Sequence, residues 1–170
     1  MNSKKFLIKF FLSLFLLSAF VTKSFSSEIT PMNFIQDTVN NASEALGQNF
    51  SKESKIEKLK DIAKRTVDIK GLGFYTLGSH RKKLSENQKD IYINLFEKYF
   101  LKTFASRLAE YTDPKIIVVS EEKINKNYTI VNSYLVATDK RPKIEINWRV
   151  YTKNLDKPLI RDLIIEGLSL

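Results

Sequence analysis

The stretch Leu159-Ile-Arg-Asp-Leu-Ile-Ile-Glu-Gly-Leu-Ser-Leu170 decides how the rest of this chain is read. Four apolar residues, Ile160, Leu163, Ile164 and Ile165, surround Asp162 and lead into Glu166-Gly167. The pattern predicts a strand from Leu159 to Glu166 that runs into a turn at the glycine. Strict alternation would put Ile160 and Ile164 on one face and Leu163 and Ile165 on the other.

Moving back along the chain, the segment Lys143 to Tyr151 alternates cleanly. Ile144, Ile146, Trp148 and Val150 oppose Lys143, Glu145, Asn147 and Arg149. Lys153 to Pro158 is the turn that returns it to the last strand. Two earlier strands are read at Lys115 to Ser120 and Tyr128 to Thr138, with turns near Asn125-Lys-Asn127 and from Asp139 to Pro142. Connections this short join antiparallel neighbours, so a four-stranded meander is expected.

Before Asp113-Pro114 the period is helical. Thr30-Pro31 starts a helix whose stripe is Ile35, Val39, Ala42 and Leu46, ended by Gly47. Ser51 caps a second helix, highly charged, that buries Ile56, Leu59 and Ala63. A short third helix runs from about Lys70 to Leu77 and stops at Gly78, with Asp68 as its cap. Ser85-Glu-Asn-Gln88 has the capping-box form and opens the longest helix, about Glu86 to Glu110. Its stripe is Ile93, Phe96, Phe100, Phe104 and Leu108, widened by Tyr92, Tyr99, Leu101 and Tyr111. A helix apolar around more than half its circumference is expected to be covered on more than one side. Helices followed by an antiparallel sheet make an α+β fold, with the helices packed on the sheet.

The N-terminal residues read as an export signal. Lys4 and Lys5 precede a 16-residue apolar run, Phe6 to Val21, interrupted only by Lys9, Ser13 and Ser18. That run is short for a spanning helix, which needs about 20 residues. Ser24-Phe25-Ser26 places small residues where a signal peptidase cuts, so cleavage before Ser27 is expected, giving residues 1–26 as signal and 27–170 as one domain. The expected location is the periplasm. Cleavage removes Lys4, Lys5, Lys9 and Lys23 and no acid, so the net charge falls from +9 to +5. Export and the lack of nucleic-acid motifs argue against DNA or RNA as the partner of that charge; anionic headgroups or an acidic protein surface fit better. There is no cysteine, hence neither disulfide nor thiol chemistry.

Several features together resemble the MlaC, or toluene-tolerance, family. The C-terminal form Asp162, three apolar residues, Glu166-Gly167, an apolar residue and Ser169-Leu170 resembles its signature. Asp68, Leu77-Gly78, then Ser85 eight residues after that leucine with Gln88 at the third helical position, are similar to its middle region. The Phe-studded helix, Tyr111 and Trp148-Arg149-Val150 are similar too. The resemblance covers most of residues 67 to 170. Two departures stand out: Ser79-His80-Arg81-Lys82 replaces an aromatic stretch, and the family's further C-terminal helix has no counterpart before Leu170.

What the resemblance implies is a periplasmic phospholipid-binding carrier with acyl chains in an apolar cavity between helices and sheet. It would shuttle lipid between an outer-membrane lipoprotein complex and an inner-membrane ABC lipid transporter, maintain outer-membrane lipid asymmetry and act as a monomer. Candidate lipid-lining residues are Phe74, Leu77, Phe96, Phe100 and Phe104 from the helices, with Val131, Leu135, Ile146, Trp148 and Ile164 from the sheet. Bound phospholipid is expected as cargo, with no metal or other cofactor. Two other readings compete: a small periplasmic α+β enzyme using one pocket carboxylate with Tyr99 or Tyr134, and an adaptor that binds protein and no lipid. Against catalysis, the chain has no nucleophile motif, phosphate loop or paired His and carboxylate spacing. His80, the one histidine, sits among Ser, Arg and Lys and reads as a solvated loop residue.

Overall fold

The computed structural model describes residues 29–47, 49–139 and 141–169. The export segment, its cleavage site and Leu170 lie outside the described residues. Among the described residues, four helices precede the sheet: α1 (Pro31–Ala45), α2 (Lys52–Thr66), α3 (Ile69–Leu77) and α4 (Glu86–Leu108), with a 3-10 turn over Gly78–Lys83 between the last two.

Each helix starts where a short polar side chain can take an orphan backbone N–H. Thr30 accepts from Asn33 N and Pro31 needs no donor at the first position; Ser51 accepts from Ser54 N; Asp68 accepts from Gly71 N. Ser85 and Gln88 form the reciprocal capping box. A long-range cap supplements these. Met32 N donates to Glu121 Oε2 over 2.6 Å, placing a carboxylate at the positive end of α1.

Five antiparallel strands follow in sequence order: β1 (Ile116–Asn125), β2 (Tyr128–Leu135), β3 (Ile144–Tyr151), β4 (Leu159–Ile165) and β5 (Leu168–Ser169). The sheet thus has one strand more than the expected four. Glu166 and Gly167 both have positive φ, 49° and 81°, which folds the chain back sharply enough for Leu168 and Ser169 to pair with Ile165 and Ile164. β1 also runs past Ser120 to Asn125, with irregularities between Val118 and Ser120 and between Lys123 and Asn125.

A bulge corrects the expected faces of β4. Val150 pairs with Ile160 but Arg149 pairs with Asp162, so Arg161 is an extra residue. Past it the alternation inverts. Leu163 opposes Trp148 and Ile165 opposes Ile146, which puts them on the same face as Ile160, while Ile164 opposes Asn147 on the other face.

One face of the sheet is covered by α1. Ile35 and Val39 pack with Val118, Val131, Val150 and Ile160, joined by half-buried Trp148. α4 packs chiefly on other helices: Ala105 and Ala109 meet Leu59, Ile62 and Leu46, and Leu101 meets Ala63 and Ile69. α4 was expected to be covered on more than one side; α2 and α3 both pack on it, but one line of apolar residues stays open. Ile91, Leu95 and Tyr99, spaced four apart, are exposed, Leu95 and Tyr99 by 61% and 68%. α2 and α3 cover one side, and among the described residues no element lies against the opposite one.

Candidate functional site: a cationic cleft beside the third helix

Asp68 sits where α2 gives way to α3, and this junction builds the site. Its N–H donates to Ile160 O over 2.9 Å, and Val67 forms a parallel bridge to Ile160, so the junction runs along the start of β4. The Asp68 carboxylate then splits its work. Oδ1 accepts from Gly71 N at 2.9 Å, and Oδ2 accepts from Arg161 Nε at 2.6 Å. Arg161 is the bulged residue of β4, and the bulge is what turns it toward this helix terminus.

Two further contacts, to tyrosines that pack on each other, fix the Arg161 guanidinium. Nη1 donates to Tyr128 Oη over 2.7 Å, the guanidinium carbon lies 3.9 Å from the Tyr151 ring centroid, and the two tyrosine rings pack 5.4 Å apart. Burial on its own would lower the arginine pKa. Hydrogen bonds to Tyr128 and Asp68, with the charge of Asp68, outweigh that and raise it above the ordinary arginine value.

A second pair lies on the same face of the sheet. Asp162, 8% exposed, accepts from Ser169 Oγ at 2.8 Å and meets Arg149 Nη1 at 3.1 Å, both through Oδ2. Its Oδ1 is closed off from solvent and has no hydrogen-bond partner among the described residues. A buried carboxylate oxygen without a donor is costly.

These groups line an open cleft of about 1180 Å³. One wall is helical, formed by Gly71, Leu72, Phe74 and Tyr75 of α3, Gly78, Arg81 and Lys82 of the 3-10 turn and Lys89 of α4. The other is the sheet: Ile124, Asn125, Tyr128, Arg149, Arg161, Asp162 and Ser169. Phe74 joins the two chemistries. Arg81 lies 4.3 Å and Lys70 5.8 Å from its ring centroid, so its apolar body carries cations. Lys89 is paired with Glu86 at 2.7 Å.

Of the ten residues expected to line a lipid site, Phe74 is the one found on this cleft. Leu77 is half-buried just beyond it at the end of α3. Phe96, Phe100 and Phe104 form a stacked row on α4, with centroids 6.1 and 5.3 Å apart, half-buried against Leu101 and its neighbours. That row is on the far side of α3. An added Cβ on Gly73 would meet Ile93 Cδ1 at 2.8 Å and Phe96 Cδ1 at 2.9 Å, so the third helix lies directly on the fourth. Val131, Leu135 and Ile146 are buried on the covered face of the sheet. Trp148, also on that face, is half-buried and donates Nε1–H to Ser133 Oγ over 2.8 Å. The bulge sends Ile164 to the opposite face from Trp148.

Sequence reasoning passed over Arg149, Arg161, Tyr128 and Asp162 as ligand-facing groups. The available signal was Arg161-Asp162 inside an otherwise apolar strand, opposite Arg149 of its neighbour. His80 is exposed on the 3-10 turn, and no cluster of three or more His, Cys, Asp or Glu suited to a metal occurs among the described residues. No helix among them is long and apolar enough to cross a membrane.

Comparison with known proteins adds three findings. The family described as "MlaC protein" matches residues 34–170, well over half the chain. No curated protein matches significantly. Among solved structures, the fold is similar to a phospholipid-binding protein from Ralstonia solanacearum determined in complex with a phospholipid. Its TM-score is 0.65 at 13% identity, over 81% of this chain and 79% of that one.

Proposed function

Because this chain belongs to the MlaC family, we propose that it is a non-enzymatic phospholipid carrier of the periplasm. It collects single lipids and passes them between an outer-membrane lipoprotein complex and an inner-membrane ABC transporter, which maintains the lipid asymmetry of the outer membrane. Export by the N-terminal segment places it there, and it works as a monomer. The observation that carries the reading is the family match across residues 34–170, supported by a cleft that sets the apolar side chains of Leu72, Phe74 and Ile124 among cations on both walls.

Magnitudes explain why a carrier needs an enclosed apolar wall. Each methylene kept from water contributes about 0.8 kcal/mol, so two chains of about sixteen carbons represent on the order of 25 kcal/mol. The protein has only to approach the bilayer in this respect, since a stronger hold would prevent release. Acyl chains are proposed to lie against Leu72, Phe74 and Tyr75, with the Phe96, Phe100 and Phe104 row as further apolar surface behind α3. The phosphate faces the arginines.

Mass spectrometry of a denaturing extract from the intact, purified mature chain tests this. Stoichiometric phospholipid is expected. A chain that emerges empty and also takes up nothing from liposomes overturns the carrier reading in favour of a protein-binding adaptor.

A further inference from the structure

We propose that the mouth of the cleft is a docking surface for an anionic bilayer, with Tyr75 and Ile124 entering the interfacial layer and Arg81 and Lys82 gripping acidic headgroups. The inference rests on the lipid-carrier reading and deepens it, because it names the surface on which lipid is exchanged. Apolar exposure and charge, both found at the same mouth, support it.

The apolar part comes from both walls. Tyr75, on α3, is 81% exposed and Ile124, on β1, is 53% exposed, yet both line the cleft. Ile124 stands there because of an irregularity in its strand. Lys123 pairs with Thr129 and Asn125 pairs with Tyr128, which leaves Ile124 as an extra residue without a register partner. Large apolar side chains left in water on opposite lips of an opening carry a solvation cost that a bilayer relieves. Tyrosine suits the interface in particular, since its ring is apolar and its hydroxyl stays hydrated.

The charge comes from what remains after internal pairing. Arg81, Lys82, Lys89, Arg149 and Arg161 line the cleft. Lys89 already holds Glu86, Arg149 holds Asp162 and Arg161 holds Asp68. Arg81 and Lys82, exposed on the 3-10 turn, have no carboxylate within ion-pair distance among the described residues. Arg81 lies over the Phe74 ring, which steadies its charge at the mouth. Free cations beside exposed apolar side chains are complementary to acidic headgroups above acyl chains. An acidic protein would meet the charge, but an open cleft offers it no continuous face to cover between the two lips.

The test floats the purified mature chain with vesicles of phosphatidylcholine alone and of equimolar phosphatidylcholine and phosphatidylglycerol, at low and high salt. Binding to the anionic vesicles is expected to exceed that to the neutral ones about tenfold and to fade as salt screens it. Each basic side chain near such a surface is typically worth about fivefold, so Arg81→Ala with Lys82→Ala should weaken binding about twentyfold. Tyr75→Ser with Ile124→Ser should weaken it about tenfold. All four positions are exposed, and far-ultraviolet dichroism checks that the variants fold. Lys98→Ala with Lys102→Ala removes the same charge from exposed positions of α4 outside the cleft lining, and should bind as the native chain does. A native chain that stays off anionic vesicles overturns the docking inference. So does a Lys98 and Lys102 variant that loses as much as the Arg81 and Lys82 variant, since that identifies general attraction by net charge. Capture of the native chain by polyglutamate but not by anionic vesicles assigns the mouth to an acidic protein and also overturns it. Stoichiometric phospholipid in a denaturing extract of the same chain leaves the carrier reading standing in each of these cases. A chain that is empty and takes nothing from liposomes overturns the carrier reading itself.

Discussion

Arg161 Nε and Asp68 Oδ2 lie 2.6 Å apart although 93 residues separate them in the chain. The same carboxylate caps α3 through Gly71 N. One side chain thereby anchors a helix start and fixes a cleft arginine. Asp68→Asn keeps an oxygen for the cap and loses the ion pair, for an expected cost of about 1 to 2 kcal/mol. Asp68→Ala loses both and should cost about 2 to 4 kcal/mol. Urea unfolding of the two variants checks this, and equal costs would show that the cap contributes nothing.

Gly73 lies at the crossing of α3 and α4, where an added methyl meets Ile93 and Phe96 inside 3.0 Å. Gly73→Ala gains about 1 kcal/mol of helix propensity. It loses about 1 to 3 kcal/mol to overpacking unless the Phe96 ring turns away. Net destabilisation by thermal unfolding is expected, together with a changed near-ultraviolet signal. A stabilised variant would mean that the two helices separate freely.

The carboxyl of Glu86 is held below its ordinary value of 4.5, first by the hydrogen bond from Lys89 and then by the lysine's charge. A depressed carboxylate contributes stability that is full above pH 4.5 and fades as the pH falls through the lower native value. Glu86 is fully exposed, so NMR titration is the sensitive measure. Lys89→Met should move its midpoint up toward the ordinary value, and an unmoved midpoint would remove Lys89 as the cause.

Cargo retention separates the two apolar regions. Phe74→Asp should empty the cleft at least tenfold, since a carboxylate there opposes acyl burial. Phe100→Asp should deplete lipid only if the row behind α3 contacts acyl chains. Lipid per folded protein, with far-ultraviolet dichroism as the folding control, distinguishes these. Full retention in Phe74→Asp would place the cargo elsewhere.

The sequence disclosed what is locally determined. Thr30, Ser51, Asp68 and Ser85 were legible as caps because the cap hydrogen bond spans three residues. Alternation separated the two faces of β2 without saying which is covered; packing under α1 buries the one with Val131 and Leu135. The bulge at Arg161 was not legible, since it depends on pairing with Arg149 and Val150 of another strand, and it reversed the face assigned to Ile164. Leu168-Ser169 is too short to carry a strand period of its own. Overlooking the cleft arginines had a similar origin: nothing in the local sequence marks Arg149 or Arg161, and only the fold brings Asp162 to the first and Asp68, Tyr128 and Tyr151 around the second.

The ten-residue β1 forms one border of the sheet, and its backbone groups on that side have no neighbouring strand among the described residues. Two irregularities interrupt it, and Glu121, Glu122 and Lys123 stud its outer half. Charge and distorted register are the ordinary safeguards against fibril growth. These features oppose edge-to-edge growth through this border, and apolar replacements at Glu121 and Glu122 would turn it into a template for amyloid-like stacking.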